Sequence, residues 1–239
     1  MKKTLLLTAA TLLVGSSAIA ETKKFSPYVG VQAGGAFMSA HVKSDDNDSN
    51  FEGVNTAANP SGKGLIGGVH AGFDCGITEK VSAGLELGVD FLANAKAEHK
   101  AAFINAGNGL ENNGNIMSVQ QRNRMNIAAR IKYAVSDTAA PYLKAGYSAS
   151  SFRGKSTLET AEITTGKDVK KSKVLGGFLV GAGVDLTLTD NIRAGLEYTF
   201  TQYNKMKIEH NFTQNGAQKL TRTYKPQTSV VQLRLSYAM

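Results

Sequence analysis

The chain has 239 residues with 27 Lys and Arg against 19 Asp and Glu, a formal charge of +8, and it combines 25 glycines with one cysteine and no tryptophan. A lone Cys75 excludes an internal disulfide framework. Past the first twenty residues no apolar run approaches the ~18 to 20 residues of a spanning helix, because glycines and charges interrupt every candidate. Slight net hydrophilicity with abundant glycine suits a β-protein with large polar connections.

The opening "MKKTLLLTAATLLVGSSAIAE" places Lys2 and Lys3 before an apolar run from Leu5 to Val14, and Ala18-Ile19-Ala20 before Glu21. This is the pattern of a cleaved secretory signal over 1–20, which leaves 21–239 as an exported β-domain. No cysteine follows the apolar run, which argues against a lipidated N-terminus.

In chain order, two-residue alternation picks out eight segments, 26–38, 64–77, 81–93, 119–135, 141–152, 173–188, 192–204 and 227–239. The apolar set of the first is Val29, Val31, Ala33 and Phe37. In the second it is Leu65, Val69, Ala71, Phe73 and Ile77, and in the third Val81, Leu85, Leu87, Val89 and Phe91. The fourth contains "QRNRMNIAARIKYAV", with Met125, Ile127, Ala129, Ile131, Tyr133 and Val135 on one side and Arg122, Arg124, Arg130 and Lys132 on the other. Val174, Phe178, Val180, Val184, Leu186 and Leu188 continue the phase in the sixth. Ile192, Leu196, Tyr198 and Phe200 continue it in the seventh, and Val231, Leu233, Leu235 and Tyr237 in the eighth. A wall with one apolar and one charged face separates an apolar medium from a wet or ion-paired one.

The connections alternate in length. Thr78-Glu79-Lys80, Ser136 to Ala140 and Thr189-Asp190-Asn191 are short, whereas 39–63, 94–118, 153–172 and 205–226 are long and polar. A soluble sandwich scatters its long loops over both ends, but an outer-membrane barrel has tight periplasmic turns and long extracellular loops. The expected fold is therefore all-β: an eight-stranded antiparallel up-and-down transmembrane β-barrel with four long extracellular loops and three short periplasmic turns. Closure follows because hydrocarbon leaves no strand edge satisfied. An ungapped internal repeat, "AGFDCGITEKVSAGLE" (71–86) over "AGVDLTLTDNIRAGLE" (182–197), supports the hairpin register. The Gly-rich "GGFLVGAGVD" is not read as a nucleotide site, since no helix follows and its glycines fall on the inward phase.

The same phase turns His70 and Asp74, Glu86 and Asp90, the fourth segment's cations, Asp185, Arg193 and Glu197, and Arg234 toward the lumen. Glu86 stands five residues above Val81 and Arg130 five below Val135, so depth pairs these two, and Glu197 likewise faces Arg234. Strand shear offers Lys132 as the other partner for Glu86. The expected interior ion network is Asp74, Glu86, Arg130, Lys132, Asp185, Arg193, Glu197 and Arg234. In a barrel this narrow it makes a plug and not a wide channel.

Among the long connections, "KSDDNDSNFE" lacks the glycine and terminal glutamate of an EF-hand, so no metal site or cofactor is expected. Lys167, Lys170, Lys171 and Lys173 in "TGKDVKKSK", with Lys219, Arg222 and Lys225 beside the last strand, form a cationic loop patch suited to phosphates or sulfated glycans. His41, His70, His99 and His210 are scattered and His70 has no serine beside it in sequence, so the chain is not expected to be an enzyme. An exported address leaves nucleic acid no role.

The stretches "PYVGVQAGGAF", "VSAGLELGVDF", "APYLKAGYS", "NIRAGLEYTF" and "VVQLRLSYAM" make the chain from Phe25 to Met239 resemble the small eight-stranded outer-membrane barrels of the opacity-protein and outer-membrane-protein-A type. Members usually finish on an aromatic residue read by the barrel-assembly machinery. Here Met239 is last, while Tyr237, Val231, Leu233 and Leu235 keep the rest of that signal. The resemblance implies a surface protein of the bacterial outer membrane, an adhesin or antigen. The implied partners are outer-membrane lipid and lipopolysaccharide, the barrel-assembly machinery, and a host-cell surface protein or glycan. A small-solute porin, a structural envelope protein, or a barrel enzyme acting on lipid or peptide stand as alternatives.

Overall fold

A computed structural model of the chain describes residues 25–46, 59–104, 111–157, 169–212 and 218–239. The leader expected at 1–20 lies outside them. Among the described residues are ten strands: β1 (Phe25–Asp46), β2 (Ser61–Gly76), β3 (Val81–Ala93), β4 (Lys96–Ile104), β5 (Glu111–Tyr133), β6 (Ala139–Thr157), β7 (Val169–Thr187), β8 (Ile192–Tyr203), β9 (Met206–Phe212) and β10 (Gln218–Ala238). Eight form the wall, in the order β1-β2-β3-β5-β6-β7-β8-β10, and β10 returns to β1. All neighbours are antiparallel, and the closing pair runs from Tyr28↔Ala238 to Asp46↔Leu220. The fold is the closed eight-stranded barrel that the alternation predicts. The two further strands are continuations: β4 carries on from β3 along β5, and β9 from β8 along β10.

The strands outrun their predicted lengths. A tilted membrane-spanning strand needs about 9 to 11 residues, yet β5 has 23, β1 22 and β10 21. Much of 39–63, 94–118, 153–172 and 205–226, expected as loops, is therefore ladder-bonded sheet. The reason is physical: above the membrane both faces of a strand can be polar, so alternation vanishes while the backbone pairing persists.

Where β3 gives way to β4, Asn94 takes φ 58° and the ladder with β5 jumps from Phe91↔Asn123 to Lys96↔Gln120. At the same level β5 bulges against β6, where Gln121 and Arg124 face residues only two apart, Phe152 and Ser150. A bulge inserts one residue and inverts the inside–outside phase above it. Gln121 and Arg124 consequently both point inward, and Arg122, expected in the lumen, is exposed on the outer wall.

The three short turns share one chemistry. Thr78, Ser136 and Thr189 each accept, on the side-chain oxygen, the backbone N–H three residues on, at 3.0, 3.1 and 3.1 Å. These are local side-chain turns of the kind serine and threonine favour. They explain why connections without an Asn-Gly pair close so tightly.

The outer face carries the predicted apolar set, with Leu65, Leu87, Phe91, Ile131, Val174, Leu233 and Tyr237 all exposed. The inner face is polar over the half nearest the short turns. Toward the long connections it becomes apolar: Met38, Val42, Ala97, Val119, Phe152, Leu175, Tyr203, Met206 and Tyr224 form one buried cluster. Ala36, Ile66, Leu92, Ala95 and Val230 form a second. A water-soluble type of core thus sits inside the upper barrel.

Leu233 lies in the middle of the outer apolar belt of β10 and is 68% exposed. Leu233→Arg should lower the unfolding free energy in lipid vesicles by about 2–4 kcal/mol, the cost of a cation on the lipid face near the midplane. Equilibrium urea titration read by heat-modifiable gel mobility measures it.

Candidate functional site

The lower lumen is built from side chains that alternation sends inward, and it is crowded. Glycines make the room. A Cβ on Gly72 would sit 2.6 Å from the hydroxyl of Tyr28, and one on Gly183 would sit 2.6 Å from the hydroxyl of Tyr142. The two rings occupy those vacancies and reach the barrel axis.

Nearest the short turns, Lys132 Nζ lies 2.7 Å from Asp74 and 2.8 Å from Asp185, and Arg193, half-buried at the mouth, approaches Asp74 at 3.5 Å. One level up, Arg130 binds Glu86 at 2.9 Å and Asp185 at 2.8 Å. Arg234 binds both Glu86 and Glu197. Lys144 bridges the same two glutamates, at 3.1 and 2.7 Å. Above them Arg124 pairs with Asp90 at 2.8 Å, and Gln32 and Asn126 also donate to that carboxylate. Still higher, Gln121 donates to Ser150 and Tyr203 and accepts from Thr228.

These bonds cross the lumen. β5 and β10 stand opposite each other in the wall, and Thr228 on one reaches Gln121 on the other at 2.8 Å. Five buried carboxylates (Asp74, Glu86, Asp90, Asp185, Glu197) meet five buried cations (Arg124, Arg130, Lys132, Lys144, Arg234). These ten buried charges cancel, which is what makes their burial tolerable, and the half-buried Arg193 at the mouth stands outside that count.

All eight residues of the network expected from the sequence lie in this cluster, including Glu86 with Arg130 and Glu197 with Arg234. Lys132 goes to the two aspartates and not to Glu86. Sequence reasoning left out Lys144, Tyr28 and Tyr142. The signal for Lys144 was present: Leu143 and Tyr147 are exposed on the outer wall, so the residue between Leu143 and Ala145 must point inward. The tyrosines were marked by a repeated Pro-Tyr at 27–28 and 141–142.

That repetition runs through the site. Tyr28 donates to Glu86 at 2.9 Å and accepts from Arg130 at 2.7 Å. Tyr142 donates to Glu197 at 2.7 Å and accepts from Arg234 at 3.0 Å. β1 to β5 and β6 to β10 thus supply the same Tyr–Gly–Asp–Glu–Arg set, related by a pseudo-twofold along the barrel axis. The halves differ two residues after each tyrosine, where one has Gly30 and the other Lys144.

The cationic loop patch is only partly on view. Lys173 is exposed at the open end of the lumen, and Lys225 is half-exposed on the outer wall of β10, so these two do not share a surface. Lys167 lies outside the described residues. Lys170 and Lys171 belong to β7 and Lys219 and Arg222 to β10, and of these only the backbone is described. Among the described residues no group of three or more His, Cys, Asp and Glu side chains is placed to hold a metal ion.

An apolar outer belt, a closed ladder and a charge-neutral polar filling define a β-barrel of the bacterial outer membrane. The chain belongs to the outer membrane protein beta-barrel domain family, whose model matches residues 6–238. No curated protein matches the sequence. Among solved structures it is similar to the outer membrane protein OprG from Pseudomonas aeruginosa, with TM-score 0.51 and 12% identity over 89% of this chain and 95% of that one. It is also similar to the Escherichia coli outer membrane protease OmpT (TM-score 0.49, 9% identity, 94% and 99% covered). A third is the attachment invasion locus protein Ail of Yersinia pestis, solved with the heparin analogue sucrose octasulfate (TM-score 0.39, 9% identity, 89% and 99% covered).

Each tyrosine hydroxyl bonds a buried carboxylate, so Tyr28→Phe and Tyr142→Phe should destabilise the barrel by similar amounts, roughly 1.5–3 kcal/mol each. Arg124→Met should cost about 3–5 kcal/mol, because it strands Asp90. Asp90→Asn combined with Arg124→Met should cost less than the two single changes added. Urea unfolding in vesicles reads all five proteins. Additive losses at 90 and 124 would show that the pair is not energetically coupled.

Proposed function

We propose that the protein is a surface binder of the outer membrane, an adhesin or antigen whose barrel is a closed scaffold and whose long-connection end engages a host-cell protein or sulfated glycan. The observation that carries this reading is the filled lumen: bonds between non-adjacent strands cross it at successive levels, and an apolar core lies above them. Such a barrel offers a solute no path, and this weighs against the porin reading. The chain spends much of its length on sheet beyond what the membrane requires, and loops on a rigid scaffold are where binding residues concentrate.

The same reading makes the protein a binder and not an enzyme. His70 Nε2 stands 2.8 Å from Ser236 Oγ, the one Ser–His contact among the described residues, but His70 Nδ1 has no hydrogen-bond partner. A nucleophile and base need a third group to orient the imidazole. His70 is also buried in the wall.

Neutralising Lys170, Lys171, Lys173 and Arg222 together should leave heat-modifiable folding intact and weaken adhesion of expressing cells to host cells or a sulfated-glycan surface. The wild-type interaction should fall as salt rises. Adhesion unchanged in that variant and in loop-deleted barrels would end the adhesin reading. Steady conductance of the loop-deleted barrel in planar bilayers would replace it with the pore.

A further inference from the structure

Above the membrane the wall has a seam. The ladder between β7 and β8 ends at Gly177↔Tyr203, followed by one further bond from Asn204 N–H to the Gly176 carbonyl at 2.8 Å. Beyond that point β7 extends from Leu175 to Val169 paired with β6 alone, and β9 runs from Met206 to Phe212 paired with β10 alone. Among the described residues no ladder joins β7 to β9. Two hairpins, β6–β7 and β9–β10, therefore stand side by side with an unpaired edge on each.

Parity decides which backbone groups the seam exposes. In an antiparallel strand the N–H and C=O of one residue point to the same side, and successive residues alternate. Near the short turns Thr187 N–H bonds Thr138 on the β6 side, and Leu188 N–H bonds Ile192 on the β8 side. The register of β7 on β6 is unbroken from Ala139↔Leu186 to Ser156↔Val169, so odd residues serve β6 throughout. Val174, Ser172 and Lys170 therefore turn their N–H and C=O groups into the seam. Across it, Ala238 N–H bonds Asn191, and the register of β10 on β1 is likewise unbroken, so the even residues of β10 serve β9. Their partners are Met206, Ile208 and His210, which leaves Glu209 and Asn211 facing the seam.

Outside the membrane such an edge is a template for another strand. The flanking chemistry selects the occupant. Along this stretch β7 carries Lys170, Lys171 and Lys173 and no acidic residue, and Lys205 is exposed at the foot of the seam. Two copies of this chain pairing β7 with β7 would set lysines against lysines, which like-charge repulsion opposes. The foot of the seam is also apolar, with Leu175, Tyr203 and Met206 buried and Val174 67% exposed. We infer that the seam edge of β7 is a docking site for an extended acidic polypeptide, which joins the sheet as an added strand. It bonds the main chain of Val174, Ser172 and Lys170, and its carboxylates meet the lysines. The inference rests on the surface-binder reading and adds the manner in which a protein partner is held.

The test uses the full barrel refolded in lipid nanodiscs. In the free protein, amide hydrogen exchange read by NMR should alternate along β7, with Lys171, Lys173 and Leu175 protected by β6 and Lys170, Ser172 and Val174 exchanging fast. Protection of all six would mean that the edge is already covered, and would overturn the site. A synthetic peptide of alternating Glu and Val, added in excess, should then protect Ser172 and Val174. Ser172→Pro removes the N–H at the middle of the edge while leaving every charge and every bond to β6, and should weaken peptide binding roughly ten-fold. Ser172→Thr should bind as wild type does, and gel heat-modifiability establishes that each variant is folded. Undiminished binding by Ser172→Pro would reduce the site to diffuse attraction, and no binding to wild type would leave the lysines as mere guards of an edge; either result overturns the inference. Cell adhesion that persists in Ser172→Pro but is lost on neutralising the lysines would sink strand addition and leave the surface-binder reading standing.

Discussion

Hydrocarbon offers no hydrogen bonds to an unpaired strand edge, and the rest of this molecule follows from that. The first and last strands must meet, and they do so over nineteen consecutive pairs from Tyr28↔Ala238 to Asp46↔Leu220. Eight strands closed in this way enclose a space wide enough for side chains and little else. Whatever points inward is then desolvated. Charges pointing inward must cancel, and large inward rings must be matched by residues without side chains on the facing strand. Tyr28 over Gly72 and Tyr142 over Gly183 meet that second demand, and five carboxylates against five cations meet the first.

The wall and the network were both legible in the sequence because both depend on a strict period of two. One phase assignment places Leu85 and Leu87 outside and Glu86 inside, and the same arithmetic brings Glu86 to the level of Arg130. Reasoning failed where the period fails. The bulge at Gln121–Arg124 adds one residue, so Arg122, in phase with Arg124 on paper, stands on the outer wall. The membrane-distal parts of β1, β5 and β10 have no apolar–polar alternation and read as loops, although their backbones pair without interruption in β1 and β10. The upper apolar core was invisible for a related reason: its nine members come from eight strands, and after the breaks at Asn94 and Asn204 Ala97 and Met206 fall on the opposite phase. Lys144 was missed for want of assigning the fifth predicted segment a phase at all.

The pseudo-twofold gives the interior its logic. A four-strand unit that brings one tyrosine, one glutamate and one arginine to the axis is self-satisfying only when it meets a second such unit: Arg130 of the first half reaches Asp185 of the second, and Arg234 of the second reaches Glu86 of the first. The halves are thus locked by cross-bonds and not merely placed side by side. The departure from symmetry at Lys144, where the other half has Gly30, puts a single ammonium between the two glutamates that symmetry brings together. Two carboxylates near one axis repel, and the lysine relieves that repulsion with one side chain where a symmetric pair would have collided.

Arg234 lies on the strand that also closes the wall. Until β10 is in place, the fully buried lumen holds five carboxylates and four cations, Glu197 has no guanidinium and Glu86 has only that of Arg130. A chain caught one strand short is therefore wrong twice over, with an open edge toward the lipid and an uncompensated negative charge within. The last strand removes both faults in one step. Completion is thereby made all-or-none: a nearly finished barrel has no stable resting point in the membrane, so what accumulates there is the finished protein.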